Sequence, residues 1–276
     1  LTIPFYKIQG TGNDFIIIND FAKTFPNDTS LIIKLCHRRF GIGADGLILM
    51  QPPINEGDFF YMQYFNSDGL ESSMCGNGGR CIAVFYAMIH NIKDSVEINF
   101  SAIDGTHKAH VKRVADNEFD VALQMIDVKK VSINQSNDVV LNTGSPHYVS
   151  FDSKIVEHTN IHVDAKKIRY NELYAKEGIN VNFVQNITPD HIKIRTYERG
   201  VEDETLSCGT GATASAMASV IYNGAVAGRY EIAVDVQGGK LCVRFLYNAV
   251  NSHFSDVWLC GPATVVYTGE IKTTFF

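Results

Sequence analysis

Two short stretches hold residues whose types and spacing suit proton chemistry. Cys75-Gly-Asn-Gly-Gly and Cys208-Gly-Thr-Gly-Ala share the form Cys-Gly-x-Gly-small. A chain with this Cys and Gly content should hold about 0.04 such motifs by chance, and this one holds two. A helix start offers N–H groups without intrahelical acceptors and the positive end of the helix dipole. Glycines let a ligand approach the backbone closely. The combination binds an anion such as a carboxylate and favours thiolate over thiol. Two activated sulfurs, one per half of the chain, would flank one cleft if the halves face each other. One sulfur would take a proton from a Cα and the other would return one to the opposite face. The helix N-termini would stabilise charge developing on the adjacent carboxylate, so no pyridoxal phosphate is required. An amino-acid α-proton is very weakly acidic, so a dry, closed site must assist the thiolate, which predicts domain closure about the linker.

The elements around the motifs repeat as well. Strand-like segments precede them, Phe59–Phe65 and His191–Tyr197. In the second, Ile192, Ile194 and Thr196 alternate with Lys193, Arg195 and Tyr197, the pattern of a half-buried strand. Helix-like runs follow, Arg80–Ile89 and Ala212–Tyr222, apolar or small all round and therefore expected to be buried. Next come two hairpins, with Asp104-Gly105 joining Val96–Ile103 to Thr106–Val114 and Gly238-Gly239 joining Tyr230–Val236 to Lys240–Tyr247. Order and spacing predict an α+β chain of two pseudo-symmetric domains made by internal duplication. Asp116-Asn117 is the best turn near the linker, and Ala263–Ile271 reads as one more strand. The expected domains are 1–115 with a returning strand at 263–276, carrying Cys75, and 116–262, carrying Cys208.

Length and composition fit this outline. The 276 residues suffice for two ordinary domains, and 45% hydrophobic with 20% charged residues is a globular composition. The net charge of −6 argues against a nucleic-acid partner. No run of 18 uncharged apolar residues appears, so no membrane partner is expected. Leu1–Lys7 shows no secretory pattern, and Leu1 stands where an initiator Met would. Without a C-x-x-C spacing, a zinc or thioredoxin motif is disfavoured and no metal is expected. Reduced thiols in a cytoplasm are the expectation. The remaining four cysteines, Cys36, Cys81, Cys242 and Cys260, are read as core residues. A homodimer is allowed by the sequence without being required by it.

At these residues the chain resembles the diaminopimelate epimerases, cofactor-independent enzymes that interconvert LL- and meso-diaminopimelate. The resemblance rests on Lys7-Ile-Gln-Gly-Thr-Gly-Asn-Asp-Phe, Arg39-Phe-Gly-Ile-Gly-Ala-Asp-Gly, Phe65-Asn-Ser-Asp-Gly, Met74–Cys81, Gly144-Ser-Pro-His, Asn180-Val-Asn-Phe, Glu198-Arg-Gly and Ser207–Ala212. It implies two similar domains, each a mostly antiparallel sheet wrapped round a central buried helix, with the small-molecule substrate between them. It also implies Cys75 and Cys208 as the acid/base thiols. Asn13, Asn66, Asn180 and Arg199 would hold the distal amino-acid end, with Glu198 on substrate amine and His147 near the first thiol. The backbone of Gly76, Asn77, Gly209 and Thr210 would cradle the reacting carboxylate. No cofactor is implied, and the implied setting is lysine biosynthesis.

The physics of the side chains is consistent with these roles. Arg199 can grip a carboxylate bidentately. Glu198 and Arg199 can both face substrate only if their strand ends or bends at Gly200. Glu202-Asp-Glu204 reads as a solvated acidic loop complementing the helix dipole. Four places depart from the family pattern, one of them the region between the first hairpin and Gly144, which is short. Ser145 stands where Asn is usual and Gly46 where Gln is common, and the Glu198–Cys208 spacing is one residue longer, which predicts a bulged loop. Other readings remain open on sequence alone: a proline or hydroxyproline racemase, a redox protein in which Cys75 pairs with Cys208, a metal protein using the same two cysteines, and a pyridoxal-dependent racemase.

Overall fold

The computed structural model describes residues 2–151 and 155–272. These divide into two compact units, residues 2–123 with 261–272, and residues 124–260. The first unit contains β1 (Thr2–Gly10), β2 (Asn13–Asn19), α1 (Thr29–Cys36), β3 (Gly46–Gln51), β4 (Phe60–Asn66), β5 (Glu71–Ser72), α2 (Gly76–Ile89), β6 (Ser95–Ala102), β7 (Gly105–Arg113) and β8 (Glu118–Gln124). The second contains β9 (Val131–Ile133), β10 (Val139–Asn142), β11 (Pro146–Phe151), α3 (Ile161–Arg169), β12 (Asn180–Thr188), β13 (His191–Glu198), β14 (Asp203–Thr205), α4 (Gly209–Tyr222), β15 (Gly228–Val236) and β16 (Gly239–Asn248). The last strand, β17 (His253–Lys272), contributes its first part to the second unit and its remainder to the first.

Within the first unit the strands close a ring in the order β17, β1, β2, β3, β4, β6, β7, β8 and back to β17. Only β2–β3 and β4–β6 are parallel. Within the second unit the order is β9, β10, β11, β12, β13, β15, β16, β17, with only β11–β12 and β13–β15 parallel. That ring closes through the segment leading into β9, where Val128 bridges Phe254 and Met125 N donates to Val257 O at 2.9 Å. The same two steps are parallel in both rings, and each parallel step needs a helical crossover. The duplication read from the motifs is therefore present in the strand order itself.

The helices explain the patterning. Central α2 packs against β1, β2, β3 and β7, and α4 packs against six strands of its own unit. Both are buried along almost their whole length. A helix enclosed by a sheet has no solvent face, which is why these sequences lack an amphipathic stripe. The outer helices α1 and α3 are capped conventionally, with Asp28 and Asn160 side chains accepting backbone N–H groups. Strand β2 runs Phe15-Ile-Ile-Ile with every residue buried. Ile16 and Ile18 join the core under α1, and Phe15 lies near Gly78 of α2. A strand covered on both faces reads as a continuous apolar run.

Several boundaries differ from the sequence reading. The central helices begin at Gly76 and Gly209, a turn earlier than their apolar runs, so the Gly-rich motifs are themselves helical. The final strand starts ten residues before Ala263, because it continues without a break from its pairing with β16 to its pairing with β8. The first unit extends to residue 123 rather than 115, since β8 pairs with β7 and with β17. Its returning segment begins at 261, and residues 273–276 of the expected returning strand lie outside the described residues.

Candidate active site

Cys75 and Cys208 are the N-cap residues of α2 and α4, each with extended backbone. Neither sulfur caps its own helix backbone, and neither first turn carries an acidic side chain. The first N–H groups have no partner within either helix, by helix geometry. Both helix starts therefore remain suited to an anion, unlike those of α1 and α3.

In the first unit, a network of four charges fixes the surroundings of Cys75. Buried Lys7 pairs with Asp14 at 2.8 Å, and Arg38 bridges Asp14 at 2.7 Å and Asp45 at 2.6 Å. Burial opposes ionisation of Asp14, but the Arg38 and Lys7 contacts outweigh it and hold the carboxyl at about 2. Asp45 Oδ2 accepts from Asn13 Nδ2 at 2.6 Å. A carboxylate only accepts, so the Asn13 amide nitrogen faces Asp45 and its oxygen faces the helix. That oxygen accepts from Asn77 Nδ2 at 3.2 Å and from Cys75 Sγ at 3.6 Å. Asn77 Oδ1 accepts in turn from buried Arg80 at 3.0 Å, and Arg80 also reaches Thr11 Oγ1 and Gly76 O. Asn66 ends β4 opposite Gly46, at the turn closed by Asn66 N to Leu70 O. A Cβ at Gly46 would lie 2.6 Å from both Phe65 O and the Tyr64 ring. Tyr64 thus fills the space that a longer side chain at position 46 would enter.

In the second unit, Asn180, Arg199 and Ser145 form one cluster. Asn180 Nδ2 donates to Ser145 Oγ and to Pro146 O, both at 2.9 Å, and its Oδ1 accepts from Arg199 N at 2.9 Å. The Arg199 guanidinium reaches Ser145 Oγ at 3.2 Å and Glu177 O at 3.1 Å. The serine that departs from the family pattern therefore ties the asparagine to the arginine. Strand β13 ends at Glu198, and Gly200 turns the chain with φ +92°. This ending at Glu198 meets the condition set by their adjacency in sequence. The extra loop length forms a turn, with Glu202 N donating to Glu198 O at 2.8 Å, followed by β14.

The acidic residues of that loop are engaged rather than merely solvated. Glu202 accepts from Arg169 at 2.7 Å and Tyr170 at 2.7 Å, and Glu204 accepts both arms of Arg195 at 2.6 and 2.7 Å. These pairs hold the chain on either side of Arg199 and before Cys208. His147 is fully buried on β11, with Nε2 2.9 Å from Thr210 Oγ1. Thr210 Oγ1 lies 3.4 Å from Cys208 Sγ. Within its own unit, His147 is thus joined to the second thiol's neighbour. Burial, helped by the Arg199 charge, lowers its pKa to about 3 and keeps the ring neutral.

The remaining cysteines separate from this pair. All six are free. Burial pushes the Cys36 and Cys242 thiols up to about 12 and that of Cys81 up as well. Cys36 and Cys81 are core residues as expected, whereas Cys242 and Cys260 are half-buried cross-strand partners on β16 and β17. Sequence reading assigned no role to Lys7, Asp14, Arg38, Asp45 or Asn182, though four of them lie within motifs that carry the family resemblance.

Comparisons with known proteins bear on the family and the fold. The family model described as diaminopimelate epimerase matches residues 5–131 and 139–257. A diaminopimelate epimerase of Flavobacterium psychrophilum is 49% identical over 96% of this chain and 99% of its own length. One from Methanocella arvoryzae is 38% identical over 99% and 98%. Among solved structures, a phenazine biosynthesis protein of the PhzF family from Bacillus anthracis superposes with a TM-score of 0.71 at 14% identity, covering 99% of each chain. A hydroxyproline epimerase from Agrobacterium vitis gives a TM-score of 0.70 at 13% identity over 98% of this chain and 91% of its own. The last two show a shared fold. With its motifs, its duplicated rings and sequence identity spanning nearly its whole length, the chain belongs to the diaminopimelate epimerase family.

Proposed function

We propose that the protein interconverts LL- and meso-2,6-diaminopimelate by proton transfer at one α-carbon, with Cys75 and Cys208 as the two proton carriers. The observation that carries this reading is the pair of N-cap cysteines at equivalent places in two duplicated units, each at a helix start that no side chain of its own caps. The family's curated members bear the name of this activity.

In this mechanism one sulfur, as thiolate, takes the α-proton and becomes a thiol. The electron pair left behind delocalises into the α-carboxylate, whose oxygens receive N–H groups from Gly76 and Asn77 or from Gly209 and Thr210. The opposite sulfur, initially a thiol, gives its proton to the other face of the carbon and becomes the thiolate. No other group need change charge, and proton exchange between turnovers resets the pair. Preorganised N–H donors offset the large acidity gap between an α-carbon and a thiol. Arg199 grips the distal carboxylate, a role supported by its contacts with Asn180 and Ser145. Glu198 receives a substrate ammonium, and Asn13 and Asn66 line the same substrate. The dry site this chemistry needs calls for domain closure on the substrate.

A cytoplasmic setting, where thiols stay reduced, belongs to the proposal. No helix among the described residues is long and apolar enough to cross a membrane. A homodimer is the assembly we propose to look for by light scattering. The decisive experiment incubates reduced protein with LL-diaminopimelate in D2O without added cofactor. The expected result is meso product carrying α-deuterium. Absence of both exchange and meso product rejects the substrate, and proline isomers under the same conditions then test the racemase reading.

A further inference from the structure

The hydrogen bonds leading to Cys208 run in one direction. Asn182 is fully buried on β12. One of its amide atoms lies 3.1 Å from the Tyr148 carbonyl, which can only accept, so that atom is the nitrogen. The same nitrogen is 3.1 Å from His147 Nδ1, and the amide oxygen accepts from Thr196 Oγ1 at 2.9 Å. A ring nitrogen that accepts carries no proton. The neutral ring of His147 therefore carries its proton on Nε2 and donates to Thr210 Oγ1. A hydroxyl has one proton to give, and the other partner of Thr210 Oγ1 is Cys208 Sγ.

We infer that Asn182 is a positioning residue for the second thiol: by fixing the His147 tautomer it makes the Thr210 hydroxyl a donor aimed at Cys208 Sγ, and so favours the thiolate there. Two further observations support it. A Cβ at Gly211, in the first turn of α4, would stand 2.6 Å from Asn182 Oδ1, so the glycine is what lets this amide sit under the helix start. In the first unit the arrangement has the opposite sense, since Cys75 donates to Asn13 Oδ1. Of the strands packed against α4, β10 and β12 carry no charged side chain, β11 supplies His147, β13 carries His191, Lys193, Arg195 and Glu198 with Arg199 following, β15 carries Arg229, Glu231 and Asp235, and β16 carries Lys240 and Arg244. The Arg199 charge acts on His147 in the same sense as burial, against the imidazolium.

The purpose of the device rests on the epimerase reading, but its test needs no turnover. Whole reduced protein is alkylated with iodoacetamide from pH 5 to 10, and the Cys75 and Cys208 peptides are quantified separately by mass. A donated hydrogen bond to a charged group shifts a titration midpoint by about one to two pH units. Thr210→Val and Asn182→Leu are expected to raise the Cys208 midpoint by that amount, a ten- to hundred-fold loss of thiolate below both midpoints. The Cys75 midpoint should stay in place, and Thr210→Ser should keep the wild-type value. Nitrogen NMR should show the Nε2–H tautomer of His147 in the wild type and its loss in Asn182→Leu. An unmoved Cys208 midpoint in Thr210→Val, a parallel shift of both thiols, or an Nδ1–H tautomer in the wild type would each overturn the inference. Loss of epimerase activity with these titrations intact would count against the reaction and leave the assignment standing.

Discussion

The two motifs permit one substitution to be made twice with opposite results. Gly78 and Gly211 each lie three residues after their cysteine, inside the first turn of a buried helix. Alanine at either position gains up to about 1 kcal/mol of helix propensity. At Gly78 the new Cβ would meet Ile48 Cδ1 and Met62 Cε at 3.3 Å, both free ends of flexible side chains that can yield a few tenths of an ångström. At Gly211 it would meet Asn182 Oδ1 at 2.6 Å and Cys208 Cβ and Sγ at 3.3 Å. That amide is held by Thr196, Tyr148 and His147 and has nowhere to go without breaking a bond. Overpacking of this kind costs about 1–3 kcal/mol and a broken buried hydrogen bond about 1 more. After the helix gain, Gly211→Ala should destabilise by about 2 kcal/mol, while Gly78→Ala should fall near zero or slightly stabilise. For a chain of this size the two should differ in melting temperature by about 5 °C. Thermal unfolding of both variants beside wild type reads this directly. Melting temperatures that agree within about 1 °C would refute the reasoning, because equal outcomes would mean that Asn182 is not a fixed neighbour of α4.

Other perturbations test separate parts of the site. Cys75→Ala and Cys208→Ala should each lower epimerisation by at least about 10²-fold, since each face needs its own proton carrier; a single variant with near-normal turnover rejects the two-thiol mechanism. Ser145→Ala removes the oxygen shared by Asn180 and Arg199, so KM for diaminopimelate should rise about ten-fold with kcat little changed, in steady-state assays. Arg199→Ala should weaken binding more than Ser145→Ala, and calorimetric titration showing unchanged affinity would remove the clamp assignment. Asp14 titrates at about 2 in the folded chain against 3.8 ordinarily, so its contribution is complete above pH 3.8 and fades as pH falls toward 2. Discounted for partial exposure, that is about 1–2 kcal/mol, which Asp14→Asn should lose at pH 7, with a flatter stability curve between pH 4 and 2 in urea unfolding.

What the sequence makes legible is what local chemistry dictates. Asp104-Gly105 and Gly238-Gly239 announce two hairpins, and β6–β7 and β15–β16 form, with the two-residue loops one place earlier than expected, at Ile103-Asp104 and Gln237-Gly238, and Gly105 and Gly239 opening the second strands. The cysteine motifs stand out because they occur twice. The true starts of α2 and α4 are hidden because glycine is a poor helix former, and its use there answers to neighbours such as Asn182 and Met62 that lie far away in sequence. The length of β17 is hidden by Gly261-Pro262, which reads as a strand end; there Pro262 pairs opposite Asp120 on β8. The Lys7–Asp14–Arg38–Asp45 network joins residues up to several elements apart, so no local pattern reveals that Asn13 is oriented by a carboxylate. Asn182 escapes for a related reason. Its strand alternation places it on the same face as Asn180, and nothing in the sequence distinguishes an asparagine that backs Arg199 from one that serves a histidine.

A duplicated frame alone does not say which sulfur holds the proton. Two identical helix starts would offer their sulfurs equal environments, yet at any moment one sulfur must hold a proton and the other must lack it. The side chains that follow each cysteine break that equality. Asn77, two residues after Cys75, donates to Asn13 Oδ1, the same oxygen that receives Cys75 Sγ. Thr210, two residues after Cys208, presents a hydroxyl whose acceptor side is occupied by His147. In the proposed reaction the two helix starts supply matched cradles for the carboxylate. Around them the hydrogen bonds differ in sense: Cys75 donates to Asn13 Oδ1, and on the inference above Cys208 accepts from Thr210, so under the proposed reaction the differing neighbours bias which sulfur holds the proton before substrate binds.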